Sequence, residues 1–256
     1  MLKIYLADLA NDFVDIDNKS IPIGIGYVGA YCKQRFKDDV SVLPFRTLKP
    51  LIEKVRKDPP DVVGFSSYDW NYNLTLNAAK LIKNECPKCM IVLGGANVAV
   101  SPESNRELLC SNSFIDFLVY GDGERPFSNL VHFLIQYQGN KDPISMIKLL
   151  SIDGVRSING DVIQMGQAVD FVMDLSLLPS PFLTGFLDDL LQNQLLMPII
   201  QNVRGCPYQC CFCVSGNQSD KLRQFPLERV TQEIAYIRGK PMNRILRFPD
   251  DNFGIM

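Results

Sequence analysis

Apolar runs of strand length alternate with amphipathic stretches of helix length over residues 3–138, and this alternation constrains the fold more than any other feature. The predicted strands are residues 3–7, 40–44, 62–66, 90–93 and 117–120. The predicted helices are residues 25–36, 48–57, 74–84, 102–110 and 126–138. Strands that alternate with crossover helices form a parallel sheet covered on both faces. The pattern therefore predicts a five-stranded, doubly wound α/β domain of the Rossmann-like, flavodoxin type.

Small and polar residues follow three of these predicted strands. Open α/β sheets bind ligands at the carboxyl ends of their strands, and a glycine there lets a ligand approach the backbone closely. A tight turn at Gly94-Gly95 and helix entry at Gly121 and Gly123 are the structural alternatives. We interpret the edge as a ligand-binding site whose candidate residues are Ser66, Ser67, Tyr68, Gly94, Gly95, Gly121, Gly123 and Glu124.

The pattern changes after residue 138. Residues 139–193 are predicted to be a linker that carries a β-hairpin, because Asn159-Gly160 separates two strand-like runs and Asn-Gly favours a hairpin turn. A second α/β segment occupies residues 194–256, with predicted strands at 197–203 and 244–248 and a helix at 226–238 between them. We expect three parts with the boundaries 1–138, 139–193 and 194–256.

Three cysteines, Cys206, Cys210 and Cys213, follow the predicted strand 197–203 with the spacing C-x3-C-x2-C. Soft thiolates bind iron-sulfur clusters or zinc in preference to hard cations. A structural zinc site needs four ligands, and the fourth candidate, Cys211, directly adjoins Cys210. Unligated thiols are the remaining alternative. We interpret the three cysteines as ligands of a 4Fe-4S cluster whose fourth iron has no protein ligand.

The composition is that of a globular protein, with 46% hydrophobic residues, 21% charged residues and a formal net charge of -2. The sequence contains neither an apolar run of about 18 residues nor a strongly basic stripe. We therefore expect a cytoplasmic protein that binds no membrane and acts on a small molecule, with a nucleic-acid or peptide substrate as the alternative. Because the predicted strands 197–203 and 244–248 would make only the start of a parallel structure, we also expect a piece of a longer enzyme.

These motifs resemble those of the cobalamin-binding radical S-adenosylmethionine (radical SAM) proteins. The second α/β segment resembles the start of their radical SAM barrel at residues 204–213, Arg223, Glu233 and residues 248–253. The first domain resembles their cobalamin domain at residues 21–27, 60–67, 94–95 and 121–124. The fold implied is a cobalamin-binding domain, a hairpin linker and the first two βα units of a partial TIM barrel.

The resemblance implies three cofactors: a 4Fe-4S cluster on Cys206, Cys210 and Cys213, S-adenosylmethionine on the open iron, and cobalamin at the edge of the first domain. Phe212 would contact the adenosyl group, and Asp250 would accept from the S-adenosylmethionine amino group, with helix capping by Asp251 or Asn252 as the alternative. The loop after the first strand lacks the Asp-x-His-x-x-Gly motif of many cobalamin proteins, and the only histidine is His132. The lower face of the cobalt would therefore be filled by another group or left without a protein ligand.

The activity implied is reductive cleavage of S-adenosylmethionine to a deoxyadenosyl radical, with cobalamin-mediated methyl transfer to an unactivated centre. The electron would come from a donor of the flavodoxin or ferredoxin type. The alternatives are a cobalamin-linked radical rearrangement or cyclisation without methylation, and a non-catalytic corrinoid or iron-sulfur carrier or sensor. No catalytic residue is predicted.

Overall fold

The structure is a computed structural model, and it describes residues 1–10, 19–98, 101–160, 162–167, 171–208, 210–211, 213, 221–241, 245–251 and 253–255. The chain forms two compact units. The first comprises Met1–Asp12 and Tyr31–Asp170, and the second comprises Phe13–Ala30 and Phe171–Met256. Within the described ranges, no helix combines the length and the hydropathy needed to cross a lipid bilayer.

The first unit is built on a seven-stranded sheet with the strand order β2-β1-β3-β4-β5-β6-β7. Strands β1 to β5 run parallel, as predicted, and β6 and β7 continue the sheet antiparallel. The order of the first five strands is that of flavodoxin-like folds. The strands are β1 Leu2–Ala7, β2 Val40–Phe45, β3 Val62–Ser66, β4 Met90–Gly94, β5 Phe117–Val119, β6 Val155–Asn159 and β7 Val162–Met165.

The long helices of this half of the chain confirm the sequence prediction to within a few residues, whereas a short helix at residues 143–147 was not predicted. The helices are α1 Ile23–Phe36, α2 Leu48–Lys57, α3 Tyr72–Glu85, α4 Pro102–Ser111, α5 Glu124–Gln136 and the short α6 Pro143–Ile147. All five residues of β3 are buried, as expected of a central parallel strand covered on both faces. Its Val63 and Phe65 pack with Ile91 and Leu93 of β4 in one continuous apolar core.

The structure differs from the predicted organisation at the hairpin. β6 pairs with β5 through Val155 opposite Val119 and Arg156 opposite Leu118, so the hairpin belongs to the sheet of the first unit. Val155 and Arg156 are both buried. An edge strand presents unpaired N–H and C=O groups, and pairing with the hairpin satisfies those on the outer side of β5. The first unit consequently extends past residue 138 to Asp170.

The second unit contains short described elements: α7 Asp188–Leu191, β8 Val203–Arg204, β9 Arg223–Gln224 and α8 Leu227–Arg238. The two predicted strands 197–203 and 244–248 are joined by one bridge between their described residues, in which Ile200 N donates to Arg247 O and Arg247 N donates to Pro198 O, both at 3.0 Å. This bridge is parallel, as in the start of a βα barrel. β8 and β9 form an antiparallel pair, which was not predicted.

Residues 19–30 belong to this second unit, although the sequence prediction placed them in the first domain. Ile21 N donates to Met197 O at 2.8 Å, and Met197 N donates to Lys19 O at 2.6 Å, so the segment runs parallel to the chain at Met197. Further along, a Cβ on Gly29 of α1 would lie 2.2 Å from the Phe186 ring. The sequence pattern gave no sign of these distant partners.

The turn after β4 predicts a measurable difference between two glycines of the first unit. Gly95 has a φ of +95°, and a Cβ there would lie 2.6 Å from Ser67 O, whereas Gly121 has a φ of +73° with no atom within 4 Å of its Cβ position. Gly95→Ala should lower the free energy of unfolding by about 3 kcal/mol and Gly121→Ala by about 1 kcal/mol.

Urea denaturation followed by tryptophan fluorescence measures this difference, because Trp70 is the only tryptophan of the chain and lies in the first unit. Equal losses in the two variants would contradict the close approach at Gly95.

Candidate cofactor sites

The carboxyl ends of β3 and β4 bring four predicted residues together: Ser66, Ser67, Gly94 and Gly95. Ser66 ends β3 opposite Gly94, and Ser67 N donates to Gly94 O at 2.7 Å. Asn97 then ties the two loops, since its backbone N donates to Ser67 O at 3.2 Å and its Nδ2 donates to Ser67 Oγ at 3.3 Å. Sequence reasoning missed Asn97, although it follows the two glycines.

The loop after β5 contributes differently from the prediction. Gly121 is exposed, and its backbone adopts a left-handed conformation. Gly123 precedes α5 and accepts a hydrogen bond from Phe127 N at 3.0 Å, as helix entry requires. Glu124, the first residue of α5, is only 2% exposed. Of these three residues, Gly121 is therefore the one that leaves its backbone open to a ligand at the sheet edge.

A buried polar network lies at the same edge, and the sequence reasoning did not identify it. Arg46 Nη1 donates to Asp8 O at 2.8 Å and to Asp8 Oδ1 at 2.7 Å. Asn71 Nδ2 donates to Asp8 Oδ1 at 3.3 Å and to Ser66 O at 3.1 Å. The network thus joins the residues that follow β1, β2 and β3. The sequence feature that could have indicated this network is that Asp8 and Arg46 each follow a strand.

Burial is the largest cause of the pKa shifts of Asp8 and Tyr68 at this network. Burial raises the pKa of the Asp8 carboxyl, and the adjacent Arg46 guanidinium opposes that rise. Burial also raises the pKa of the Tyr68 phenol, and the Asp8 carboxylate raises it further. Tyr68 N donates to Asn71 Oδ1 at 2.8 Å, and the Tyr68 ring stacks on the exposed Trp70 ring at 4.5 Å. Tyr68 therefore joins the edge through its backbone and its ring.

An open groove of about 490 Å³ adjoins this edge. Its lining is mostly amide, hydroxyl and carboxylate side chains, which can both donate and accept hydrogen bonds. The lining residues are Asp69, Tyr72, Asn97, Ser104, Asn105, Glu107, Leu108, Ser111 and Asn112. The groove therefore offers hydrogen-bonding groups to a polar ligand, and its two carboxylates disfavour an anionic one.

The histidine of the chain lies on α5, not in the loop after β1. His132 is half-buried, and its ring makes an edge-on contact with Phe133 at 5.5 Å. It occupies an ordinary packing position of an amphipathic helix.

The cysteine loop begins directly after β8 in the second unit. Gly205 has a φ of +87°, which a glycine adopts without strain, and the chain turns there into Cys206. Cys206 is 7% exposed, whereas Cys210 and Cys211 are exposed. Cys213 N donates to Cys210 O at 3.0 Å, which closes a tight turn between the second and third cysteines. All four thiols are free of disulfides.

In the described part of the chain, no three His, Cys, Asp or Glu side chains converge as metal ligands would. The donor set still fits an iron-sulfur cluster, because it supplies three soft thiols within one loop, none of which forms a disulfide. The three-thiolate site therefore stays a prediction from spacing and chemistry. Phe212, the predicted adenosyl contact, lies outside the described residues.

Asp250 binds the end of the strand-like segment that precedes the cysteine loop. Its Oδ1 accepts from Asn202 N at 2.9 Å and from Val203 N at 3.1 Å. Its Oδ2 and the Asn202 Oδ1 are buried acceptors without a hydrogen-bond partner among the described residues. Buried acceptors are almost always paired, so this pair is suited to receive a donor from a ligand. Sequence reasoning missed Asn202.

Known proteins resemble this chain over most of its length. A model described as the B12 binding domain matches residues 13–131. The chain is 29% identical over 203 residues to the cobalamin-dependent radical SAM methyltransferase TokK of Streptomyces tokunonensis, covering 77% of this chain and 28% of that protein. It is equally similar, over the same length and shares, to the 2-(S-pantetheinyl)-carbapenam-3-carboxylate methyltransferase of Streptantibioticus cattleyicolor.

Among solved structures, the fold matches the cobalamin-dependent S-adenosylmethionine radical enzyme OxsB, solved with aqua-cobalamin and S-adenosylmethionine bound. The TM-score is 0.74 at 14% identity, over 99% of this chain and 34% of that one. The chain thus spans between 28% and 34% of the length of these three proteins. The matches therefore support the resemblance to cobalamin-binding radical SAM proteins that the motifs indicate, and the similarity covers a B12-binding domain and part of a radical SAM region.

Proposed function

We propose that this chain provides the cobalamin site and the cluster loop of a radical SAM methyltransferase. The observation that carries the proposal is the presence, in one chain, of a flavodoxin-like sheet with a polar carboxyl edge and of a loop with three thiols outside any disulfide at C-x3-C-x2-C spacing. When bound, the cluster supplies the electron that cleaves S-adenosylmethionine, and cobalamin carries the methyl group. The residues of the chain bind and orient these groups.

Cys206, Cys210 and Cys213 would hold the cluster. A 4Fe-4S cluster with three thiolate ligands has one iron left for a small-molecule ligand. Cys206 is buried, whereas the thiol of Cys210 is exposed to solvent. Cys211 is exposed beside Cys210 and is not assigned to the cluster.

Asn202 and Asp250 would bind the amino group of S-adenosylmethionine. Their unpaired oxygens are acceptors, and an ammonium group brings three donors. The backbone hydrogen bonds from Asn202 N and Val203 N hold the Asp250 carboxylate in place, so little side-chain entropy is lost on binding. The same bonds attach the Asp250 side chain to Val203, which lies two residues before the start of the cysteine loop at Gly205.

The carboxyl edge of the first unit would bind cobalamin. Gly95 and Gly121 present backbone without a side chain, and Ser67 and Asn97 offer uncharged hydrogen-bonding groups. Cobalamin is a large ring fringed with amides, which such groups and the adjacent polar groove complement. Asp8 is engaged with Arg46, so its carboxylate supports the loops and leaves the ligand surface uncharged.

The complete reaction also requires a substrate site and an electron donor. We propose a small-molecule substrate that receives the methyl group at an unactivated centre, and a reducing protein of the flavodoxin or ferredoxin type. Both parts rest on the resemblance to methyltransferases of which this chain spans less than a third.

Substitution of single cysteines tests the cluster. After anaerobic reconstitution with iron and sulfide, Ala in place of Cys206, Cys210 or Cys213 should abolish the visible absorbance of the cluster at about 400 nm. This absorbance arises from thiolate-to-iron charge transfer. Cys211→Ala is the matched control, because this thiol adjoins a ligand and is itself unassigned. Equal loss in all four variants would instead indicate a four-thiolate site.

Anaerobic turnover tests the reaction class. The protein reconstituted with cluster and cobalamin, then reduced in the presence of S-adenosylmethionine, should release 5'-deoxyadenosine. Isotope from a labelled S-adenosylmethionine methyl group should appear on the product. Release of 5'-deoxyadenosine without methyl transfer to any product would favour a rearrangement or cyclisation, and no release with an intact reduced cluster would favour a carrier or sensor.

Two glycines provide a test of the cobalamin edge. Gly121 and Gly139 both have positive φ values and open space at the Cβ position, so a leucine at either site should cost a similar, small amount of stability. Only Gly121 lies on the proposed edge. Gly121→Leu should weaken cobalamin binding by about tenfold or more, since its side chain would displace ring contacts, whereas Gly139→Leu should not.

Equilibrium dialysis with hydroxocobalamin measures both affinities. Unchanged binding by Gly121→Leu would place the cobalamin site elsewhere on the first unit.

A further inference from the structure

We infer that Tyr27, Phe225 and Arg204 form a positioning device that holds Cys206 in its buried place at the start of the cysteine loop. The use of this device in cluster binding rests on the function proposed above. The geometry of the device does not, because all of its contacts are made within the second unit by the protein alone.

The centre of the device is a stacked pair of aromatic rings. The Tyr27 and Phe225 rings lie 5.4 Å apart with an interplanar angle of 10°. Each side chain is 1% exposed. Phe225 is fixed in turn by its backbone, because its N donates to Asn202 O at 2.9 Å. A buried, parallel ring pair of this kind is a rigid surface on which a planar cation can rest.

The Arg204 guanidinium rests on this surface. Its Cζ lies 4.8 Å from the centre of the Tyr27 ring and 5.6 Å from that of Phe225. The Arg204 Nε also donates to Gln201 Oε1 at 3.0 Å. The planar guanidinium can stack and donate at the same time, which an ammonium cannot do equally well. Arg204 is therefore held by a directional bond and by two rings.

A second arginine supports the other member of the ring pair. The Arg229 Cζ lies 4.5 Å from the centre of the Phe225 ring. Arg229 Nε donates to the buried Glu233 Oε1 at 3.1 Å, and Arg229 Nη1 donates to the carbonyl oxygen of Leu175 at 3.2 Å. The carboxylate of Glu233 balances the charge of Arg229. The stack is thus anchored on α8 independently of Arg204.

The held arginine is the last residue of β8, and only Gly205 separates it from Cys206. Gly205, without a side chain and with positive φ, would otherwise permit many directions of exit from the strand. Fixing Arg204 fixes the start of this turn. The burial of the thiols agrees with this role of Arg204. Cys206 is buried, whereas Cys210 and Cys211, further along the chain from Arg204, are exposed.

Tyr27 makes this arrangement unexpected. It lies within residues 13–131, which match the B12 binding domain, yet its described ring contacts are made within the second unit. A residue from the sequence of the cobalamin domain therefore supports the first predicted ligand of the cluster.

Thiol alkylation in the cluster-free, reduced protein tests the device without any cofactor. Iodoacetamide is added, and the rates at Cys206 and Cys210 are measured from peptide masses in the same sample. Tyr27→Leu and Arg204→Gln should each raise the ratio of the Cys206 rate to the Cys210 rate by about tenfold, because a desolvated cation–π contact is lost. Tyr27→Phe, which keeps the ring, should leave the ratio close to that of the parent protein.

Tyr236→Leu is the matched control. Tyr236 is a tyrosine of α8 in the same unit whose hydroxyl donates to Asp188 Oδ1 at 2.8 Å, away from Arg204. An equal rise of the ratio in this variant, or no rise in Arg204→Gln, would overturn the inference. Arg204→Gln is decisive if Tyr27→Leu does not fold, since it changes a partly exposed side chain.

Cluster retention separates the device from the proposed function. In reconstituted protein, Tyr27→Leu and Arg204→Gln should lose iron to a chelator about tenfold faster than the parent and Tyr236→Leu. A parent protein that binds no cluster would refute the proposed function and leave the alkylation result standing. Equal rates of iron loss in all loaded proteins would overturn the role of the device in cluster binding.

Discussion

The close approach of Gly95 to the backbone of Ser67 is the constraint on which the carboxyl edge of the first unit depends. Parallel pairing of β3 and β4 brings their ends to one line, but ordinary side chains after those strands would hold the two loops apart. With glycine at position 95, Ser67 and Asn97 bond across the gap, and the edge is closed by backbone and small polar groups.

Local features of the chain were predictable because their causes are local. Apolar periodicity indicated β1 to β5 and α1 to α5, since burial of a strand or of a helix face is expressed in adjacent residues. The hairpin was also evident from Asn159-Gly160, but its pairing with β5 was not. Whether a hairpin extends a sheet depends on an unpaired edge elsewhere. For the same reason, the sequence did not reveal that residues 19–21 pair with Met197.

The candidate sites divide along the same line. Candidate glycines and cysteines can be identified from sequence. Glycine is favoured where the backbone needs an unusual conformation, and closely spaced cysteines are favoured where a metal is bound. The pairing of Asp8 with Arg46 and of Asn202 with Asp250 cannot be identified in this way. A polar residue indicates a site only when it is buried, because an unpaired charge or oxygen is then energetically costly, and burial is not visible in the sequence. Such pairs are formed by tertiary structure, and the sequence motifs of the two sites contain only some of their members.

The division of α1 between the units limits how this protein can be taken apart. The first unit consists of Met1–Asp12 and Tyr31–Asp170, so it is interrupted in sequence by a stretch that belongs to the second. No single cleavage of the chain separates the two. A fragment that ends after the B12 binding match at residue 131 would keep Tyr27 and Gly29 while losing Phe225 and Phe186. Gene fusion or fission at that boundary would therefore leave an apolar helix face uncovered, and the two halves are expected to be inherited together.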